Sequence, residues 1–281
     1  MNPMTMEVSK MRRFWIACLA FALLLSPALI HAEEEGLKPV TWIIFLKAQP
    51  MKGEQMTKLL KKVDGPVLDK LLADNAILSW GLAAPETYNG DDASHILWVS
   101  VSAFGDIDRV DKAFEAAHKA KSKEENRKIQ GSFQESMVPG SRRDLVVRNT
   151  VFKRNGNASG TKTKGYIWVA NYKCLPGKHD EGTSMYRTLA QPVYEKLLND
   201  GVITSFGLHE QVVHSDPSWT HTAWYFFDDY SAVDKVHAAF NQRSSSRSEE
   251  EGAWISARFR EVFEPDSHQD RILRVVHMSA R

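Results

Sequence analysis

Two histidine–tryptophan pairs stand out as residues whose types could do chemistry. The segment "SHILWVSVSA" carries His95 and Trp98. The segment "THTAWYFFDD" carries His221 and Trp224, each 126 positions further along. Histidine exchanges protons near neutral pH, and both segments look like strands, in which residues three apart face opposite sides. One member of each pair is therefore expected to face a ligand pocket and the other the core. A structural role for the histidines, as capping groups at strand ends, stays an alternative.

Two arginines, Arg148 and Arg274, stand among apolar residues in the last predicted strand of each half. A buried arginine must pair with a carboxylate or face a polar cavity. One interpretation is a structural ion pair, and the other is stabilisation of an anionic ligand or intermediate. On the second interpretation His221 is the catalytic base and Arg274 the stabilising cation. The same reasoning predicts ligand-binding roles for His95, Arg148, Trp98 and Trp224.

Extra histidines occur in "GLHEQVVHSDPSWTHTAW", which reads as a hairpin. Pairing across such a hairpin would bring His209 and His221 close together, with His214 near the tip. A metal ion needs two or three such ligands. The matching places of the first half hold Ala83 and Tyr88, so the site would be single. No metal is predicted, and these three histidines are kept as a weak candidate site.

Composition places the chain among ordinary globular proteins. It has 281 residues, 43% of them apolar, and a formal net charge of +1. Because no basic stripe is present, the charge gives no case for nucleic acid as a partner. Cys18 and Cys174 are the cysteines, and loss of the N-terminus would leave Cys174 alone, unable to form an internal disulfide.

Residues 1–32 read as a secretory signal peptide: a basic "MRR", a long apolar run and a small residue at the end. Cleavage after Ala28 or after Ala32 fits this pattern, and an uncleaved membrane anchor is the alternative. The expected protein is secreted or periplasmic, and it has no membrane attachment once the signal is removed.

An internal repeat organises the rest of the chain. Shifted by 126 positions, residues 42–148 match residues 168–274 without a gap, and "PVLDKLLADNAILSWGL" meets "PVYEKLLNDGVITSFGL". The predicted domains are repeat 1 at 38–153 and repeat 2 at 166–281, called below the first and second halves. The polar, glycine-rich segment 154–165 between them is expected to be a flexible linker.

Each half shows the same order of predicted elements: strand, helix, two strands, helix, strand. This β-α-β-β-α-β order is the ferredoxin-like plan. The first strand, "VTWIIFLK", is apolar on both faces, so both faces should be buried. We therefore predict an α+β fold of two tandem ferredoxin-like βαββαβ units, packed sheet to sheet as an intrachain pseudo-dimeric α+β barrel.

In element order and duplication the chain resembles the dimeric α+β barrel superfamily, which includes antibiotic-biosynthesis monooxygenases, haem-degrading monooxygenases, muconolactone isomerases and chlorite dismutases. The resemblance covers residues 38–153 and 165–281. It implies a ligand site between sheet and helices, and cofactor-independent oxygenase or isomerase chemistry. Haem-degrading members use an asparagine on the first strand and a tryptophan and a histidine on the later helix. Asn171 and His237 match two of these three positions and become candidate ligand-binding residues. No cofactor is predicted, and haem is left open.

The main functional prediction is a secreted or periplasmic module that binds a small apolar or aromatic molecule between sheet and helices. The alternatives are a cofactor-independent monooxygenase or isomerase with a histidine base and an arginine cation, and an envelope protein that serves structure or interaction. The expected state is a monomer that acts as a pseudo-dimer, or a higher homo-oligomer.

Differences between the halves indicate where any activity lies. The His, Arg and Trp pairs match between the halves, which favours a shared requirement of the fold. Because a duplicated enzyme often keeps one working site, divergent positions point to the second half. The divergent pairs are Phe45/Asn171, Ala83/His209 and Ser100/Phe226. The charged runs 119–128 and 243–251 are expected to be solvated.

Overall fold

The computed structural model describes residues 38–86, 93–155, 160–213 and 216–281, which belong to one compact unit. The predicted signal peptide, Tyr88 and His214 lie outside the described residues. Within these ranges no helix combines the length and apolar character that crossing a bilayer requires.

The elements of the first half alternate as the sequence predicts, with each helical region divided in two. Pro66 lies in the first turn of the second helix, where its missing N–H group costs no hydrogen bond, so the helix restarts there. The last helix begins with a capping box, in which Ser122 and Glu125 each accept the other's backbone N–H. The elements are β1 (Val40–Leu46), α1 (Gly53–Val63), α2 (Gly65–Ala73), β2 (Ser79–Pro85), β3 (His95–Val101), α3 (Ile107–Lys119), α4 (Lys123–Ser136) and β4 (Arg143–Arg154).

The second half repeats this order, and its long strands start 126 residues after their counterparts. One strand falls within the predicted linker, where Gly160–Lys162 pairs with the last strand. The expectation that all of 154–165 is flexible is therefore wrong for those residues. The elements are β5 (Gly160–Lys162), β6 (Tyr166–Tyr172), α5 (His179–Leu189), α6 (Gln191–Asn199), β7 (Ser205–Gln211), β8 (His221–Phe227), α7 (Ser231–Ser245), α8 (Glu249–Val262) and β9 (Gln269–Ala280).

Eight of the described strands form a closed antiparallel barrel in the order β2-β3-β1-β4-β7-β8-β6-β9, with β2 hydrogen-bonded to β9. The mixed α+β barrel predicted from the sequence is confirmed, but its halves meet differently. Instead of two separate sheets packed face to face, the sheets are joined edge to edge through β4–β7 and β2–β9. Their inner faces therefore enclose a common interior.

The helices cover the outer face of the barrel, and the two largest clusters of buried side chains lie between them and the strands. In the first half Met56, Leu68 and Ile77 are completely buried, and in the second half Ile203 and Phe206 are. Burial of each such side chain contributes about 1.5–3 kcal/mol. The two cores hold the helices against opposite sides of the barrel, leaving two kinds of space for a ligand: under the helices and inside the barrel.

Candidate functional site

A cavity of about 310 Å³ lies under the helices of the second half, between the outer face of β6–β8 and helices α5–α8. Strand residues Leu208, His221 and Ala223 form its floor. We call this space the helix-side cavity, and it occupies the location that the sequence predicts for a ligand. Its aromatic lining consists of Tyr172, Tyr186, Tyr194, Phe240, Phe259 and Phe263.

The helix-side cavity reaches the sheet because α5 carries a glycine where α1 carries a methionine. Met56 is completely buried in the first half, and its counterpart 126 residues later is Gly182. A Cβ at Gly182 would come within 2.5 Å of the Cys174 Sγ atom. The smaller Ala48 takes the place of Cys174 in the first half, which leaves room for methionine there. The first half therefore fills with a side chain the space that the second half leaves open.

The first half also has an opening among its helices, with a volume of about 500 Å³. Helices α1–α4 and the turn at Lys121 line it, and no described strand residue does. Leu60 and Leu68, which are buried, take the places that Tyr186 and Tyr194 hold in the second half. This opening is therefore separated from the sheet by packed side chains.

The two predicted histidines anchor strands to helices on the outer face. His221 Nε2 lies 3.1 Å from Thr183 Oγ1 of α5, and its Nδ1 lies 2.9 Å from Thr220 Oγ1. His95 makes the matching bonds to Thr57 and Ser94. Burial lowers the pKa of each ring to about 4, so both are neutral at neutral pH. A structural role at the strand end accounts for His95 completely. His221 makes the same bonds but also borders the helix-side cavity.

Cys174 is the cysteine of the described chain, and it lies beside His221. Its Sγ atom is 3.4 Å from His221 Nδ1, and the residue is buried. Burial raises the pKa of the thiol to about 11, so it is protonated near neutral pH. The position therefore fits a packed residue rather than a nucleophile.

Two arginines line the helix-side cavity: Arg243 on α7 and Arg247 in the turn after it. Arg243 donates a hydrogen bond to the Thr188 carbonyl at 3.3 Å. The Arg247 side chain is only 15% exposed and lies 3.4 Å from the Glu251 carboxylate. The sequence predicts that the charged run 243–251 is solvated. Arg247 differs from this prediction, because its side chain lines the cavity.

Arg148 and Arg274 lie elsewhere. Both are exposed on the outer face, and Arg274 pairs with Glu86 at 3.1 Å across β9 and β2. Along β6, Arg274 is the register partner of Tyr166 and His221 that of Tyr172, which separates them by about 20 Å. The predicted pairing of His221 as base with Arg274 as cation is therefore wrong. Neither arginine is buried, because the helices do not extend over this part of the last strands.

The tryptophans of the two pairs face the opposite way from their histidines, as the strand period predicts. Trp98 and Trp224 point into the barrel, where they line a cavity of about 430 Å³ together with Asn171. Gly81 and Gly207 are their cross-strand partners. A Cβ on either glycine would overlap an indole ring, so only glycine leaves space for these side chains.

The weak metal candidate does not assemble. His209 lies inside the barrel, where its Nε2 accepts a hydrogen bond from Trp224 Nε1 at 3.0 Å, whereas His221 lies on the outer face. Across the described chain, no group of three or more His, Cys, Asp or Glu side chains is arranged to hold a metal ion. His237 is also apart from the cavities, exposed on α7 with its ring edge-on to Trp168.

A haem in the helix-side cavity would need a free axial ligand. Among the described residues that line this cavity His221 is the one histidine, and both its ring nitrogens already bond protein atoms. The described lining of this cavity therefore offers a haem no free histidine ligand.

Comparison with known proteins identifies the fold. No protein-family model and no curated protein matches the sequence. A provisionally assigned monooxygenase from Fusobacterium nucleatum subsp. nucleatum superposes with a TM-score of 0.55 at 8% identity, covering 87% of this chain and 95% of that one. Another from Lactobacillus acidophilus NCFM has a TM-score of 0.55 at 7% identity, covering 86% and 96%. An anthrone oxidase-like protein gives 0.49 at 12% identity, covering 88% and 94%. The first two structures therefore share the α+β barrel fold of this chain.

Positions that differ between the two halves of the sequence line the cavities of the structure. Asn171, His209 and Phe226 belong to the pairs that differ between the halves, and all three line the barrel interior. The Met56/Gly182 difference belongs to the same class and marks the helix-side cavity. Divergence between the halves therefore marks the linings of both cavities, which Trp98, Trp224 and His221 also border.

Proposed function

We propose that the helix-side cavity of the second half binds a small aromatic molecule that carries an anionic group. The observation behind this proposal is the Gly182 opening, which joins the space under the helices to the sheet in this half alone among the described residues. At about 310 Å³ the cavity has the volume of a small ligand pocket.

The lining supports this class of ligand. Aromatic rings favour offset or edge-to-face contact with another ring. The Tyr186 hydroxyl donates to the Gly207 carbonyl at 3.2 Å, so its polar atom is satisfied and its ring remains available for packing. Arg243 and Arg247 supply cationic groups at the helical side, where a carboxylate or sulfonate would gain a charge-assisted hydrogen bond.

An exchange of side chains between the halves tests this proposal. Gly182→Met combined with Cys174→Ala installs the first-half pair Met56 and Ala48 in the second half. The probe is 8-anilinonaphthalene-1-sulfonate, an aromatic anion whose fluorescence rises on binding. The double variant is expected to bind it at least about tenfold more weakly, because the added side chain fills the cavity.

The matched control is Arg274→Ala, which removes an exposed cation outside the cavity and should leave binding unchanged. Circular dichroism establishes that each variant is folded. A folded double variant that binds the probe as tightly as the unmodified chain contradicts the proposal.

Oxygenation of the bound molecule is a second candidate function. It is favoured by the provisional assignment as monooxygenases of two proteins that share this fold over 86% and 87% of the chain. Since burial lowers the pKa of His221 to about 4, the ring would orient the phenol hydroxyl through Thr183 Oγ1 while its proton passes to solvent, and Arg243 or Arg247 would hold the phenolate. Protein-dependent oxygen uptake with a dihydroxynaphthalene, lost in the double variant, would support it. Probe binding without oxygen uptake leaves binding as the function.

We also propose that the chain is a fused pseudo-dimer of ferredoxin-like units, made with a signal peptide and active in a secreted or periplasmic form. The 126-residue offset between matching strands supports the first part, and the composition of residues 1–32 supports the second. The mass of the exported protein tests the second part, since it should begin at residue 29 or residue 33.

A further inference from the structure

The barrel interior is a separate space, reached from the opposite face of the same strands. Its volume is about 430 Å³, and its walls belong to both halves. An inference about this interior goes beyond the function proposed above and does not rest on it.

Polar side chains cross the barrel wall as a band with one member on each of six neighbouring strands. The Thr41 and Ser100 hydroxyls are 2.9 Å apart, and Asn149 Nδ2 donates to Thr41 at 3.3 Å. On the other side the Thr222 hydroxyl donates to Asn171 Oδ1 at 2.7 Å. Register pairs Asn149 with His209, and His209 with Thr222. The polar band consists of Ser100, Thr41, Asn149, His209, Thr222 and Asn171, all of which line the cavity.

His209 is a neutral donor at the centre of this band. Its Nε2 accepts from Trp224, whose indole can only donate, so the ring carries its proton on Nδ1. Burial lowers the pKa of His209 to about 3, which keeps the ring uncharged. Within the described chain Nδ1 has no hydrogen-bond partner, although the residue borders the cavity.

Asn149 presents the complementary atom beside it. Its Oδ1 is buried without a hydrogen-bond partner in the described chain. A buried carbonyl oxygen left in this state has lost its bond to water, and the loss is recovered when a ligand donates to it. An unpaired acceptor and an unpaired donor therefore stand on register partners of adjacent strands.

Beside the polar band lies an aromatic stretch of wall, and the charged side chains Arg143, Arg154, Asp216, Arg271 and Arg281 also border the cavity. The Trp224 and Phe226 rings meet edge to face with centroids 5.5 Å apart, and Trp98 lies edge-on to Phe226 at 6.2 Å. Phe45 and Ile43 continue this surface on β1. These rings accommodate a flat ring beside the polar band, whose neutral donor and neutral acceptor suit an uncharged amide.

The two ends of the barrel differ. At one end the Gln211 side chain bonds the backbone of Asp216 and Trp219, which holds the loop over the interior with Trp219 buried. At the other end Phe152 is 52% exposed, borders the cavity and packs against Trp224 at 5.9 Å. The Phe152 end is therefore the open side.

We propose that the barrel interior is a second binding site, for an uncharged flat ring compound with adjacent hydrogen-bond acceptor and donor groups, such as a cyclic amide. The ligand's acceptor receives a hydrogen bond from His209 Nδ1–H, and its donor bonds Asn149 Oδ1. The ligand's ring packs on Trp98 and Trp224. A wall that served only as packing between the halves would be alike in both. Asn171 and His209 instead stand where the first half has Phe45 and Ala83.

The test uses 2-quinolinone, a neutral fused-ring lactam, with quenching of tryptophan fluorescence as the readout. His209→Ala, which installs the first-half residue, should weaken binding about five- to tenfold, the effect of one lost neutral hydrogen bond. Ser100→Phe, which installs the second-half residue, should abolish binding because its ring fills the interior. The double variant Gly182→Met/Cys174→Ala should bind normally, since it alters the other cavity.

Each outcome decides the proposal. Saturable binding that is weakened in His209→Ala and kept in the double variant supports it. Binding that is equally tight in folded His209→Ala, or that is lost in the double variant, overturns it. Absence of saturable binding up to the solubility limit of 2-quinolinone also overturns it. Because Ser100 lies outside the helix-side cavity, binding of the anilinonaphthalene sulfonate there should survive Ser100→Phe, which separates failure of this site from failure of the helix-side site.

Discussion

Acid should destabilise this protein through its buried histidines. Burial lowers the pKa of His95 and His221 from 6.5 to about 4 in the folded chain, and that of His209 to about 3. Between about pH 4 and pH 6.5 the unfolded chain binds a proton at each site that the folded chain does not. The stabilisation is therefore complete above pH 6.5 and is lost as the pH falls toward 4.

The size of the effect follows from the two pKa values of each ring. At about pH 5 one such histidine lowers the free energy of unfolding by about 2 kcal/mol relative to pH 7.5. The three together lower it by about 6 kcal/mol. Asp64, whose pKa is raised by burial to about 6, offsets roughly 1 kcal/mol of this. The remainder is comparable to the whole stability of many domains. The protein should therefore be close to unfolding near pH 5.

Urea unfolding followed by circular dichroism, at about pH 7.5 and about pH 5, measures this difference. In His221→Gln the difference between the two pH values should shrink by about 2 kcal/mol, whatever the variant's absolute stability. His237→Gln is the matched control, because His237 is exposed on α7 and its removal should leave the difference unchanged. An equal pH difference in His221→Gln and the unmodified chain would refute the reasoning.

Three further changes test the packing. Gly207→Ala should lower the free energy of unfolding by about 1–3 kcal/mol in urea titration, because the added methyl overlaps the Trp224 ring. The displaced ring should also weaken its hydrogen bond to His209. An unchanged urea midpoint would contradict this prediction. Leu68→Ala should cost about 2–5 kcal/mol in the same assay, since Leu68 is completely buried, and a cost below about 1 kcal/mol would show that the site is looser than the structure shows. The Cys174 thiol should react with dithionitrobenzoate about a hundredfold faster in urea than in the folded chain, because burial in the folded chain raises its pKa to about 11. Equal rates would mean that the thiol is accessible at the surface of the folded chain.

Local patterns in the sequence were sufficient for the elements and for the direction of their side chains. The alternation of strands correctly predicts that His221 and Trp224 lie on opposite faces, and the order of strands and helices in each half is also as predicted. These features depend on neighbouring residues alone. The barrel fold followed from the first strand, "VTWIIFLK", whose two apolar faces both had to be covered.

Features that depend on pairing between strands far apart in the sequence could not be predicted from local patterns. The register of β4 shifts at Thr150 and that of β9 at Val276, so one strand can serve both halves. Nothing in the local sequence fixes that shift or the edge-to-edge closure that follows from it. Arg148 was expected to be buried because its neighbours are apolar, but its exposure depends on how far the helices extend. The helix-side cavity likewise depends on Gly182 and Cys174 together, which lie on different elements.

The edge-to-edge closure also determines what would happen if the chain were cut between the halves. Each half taken alone would be an open sheet with unpaired backbone groups at its two borders, which are β2 and β4 in the first half and β7 and β9 in the second. Such borders bind another strand readily, so the separated halves should reassemble by complementation or aggregate when the other fragment is missing. A single peptide connection thus removes a concentration-dependent assembly step, and it lets each half diverge without losing its partner.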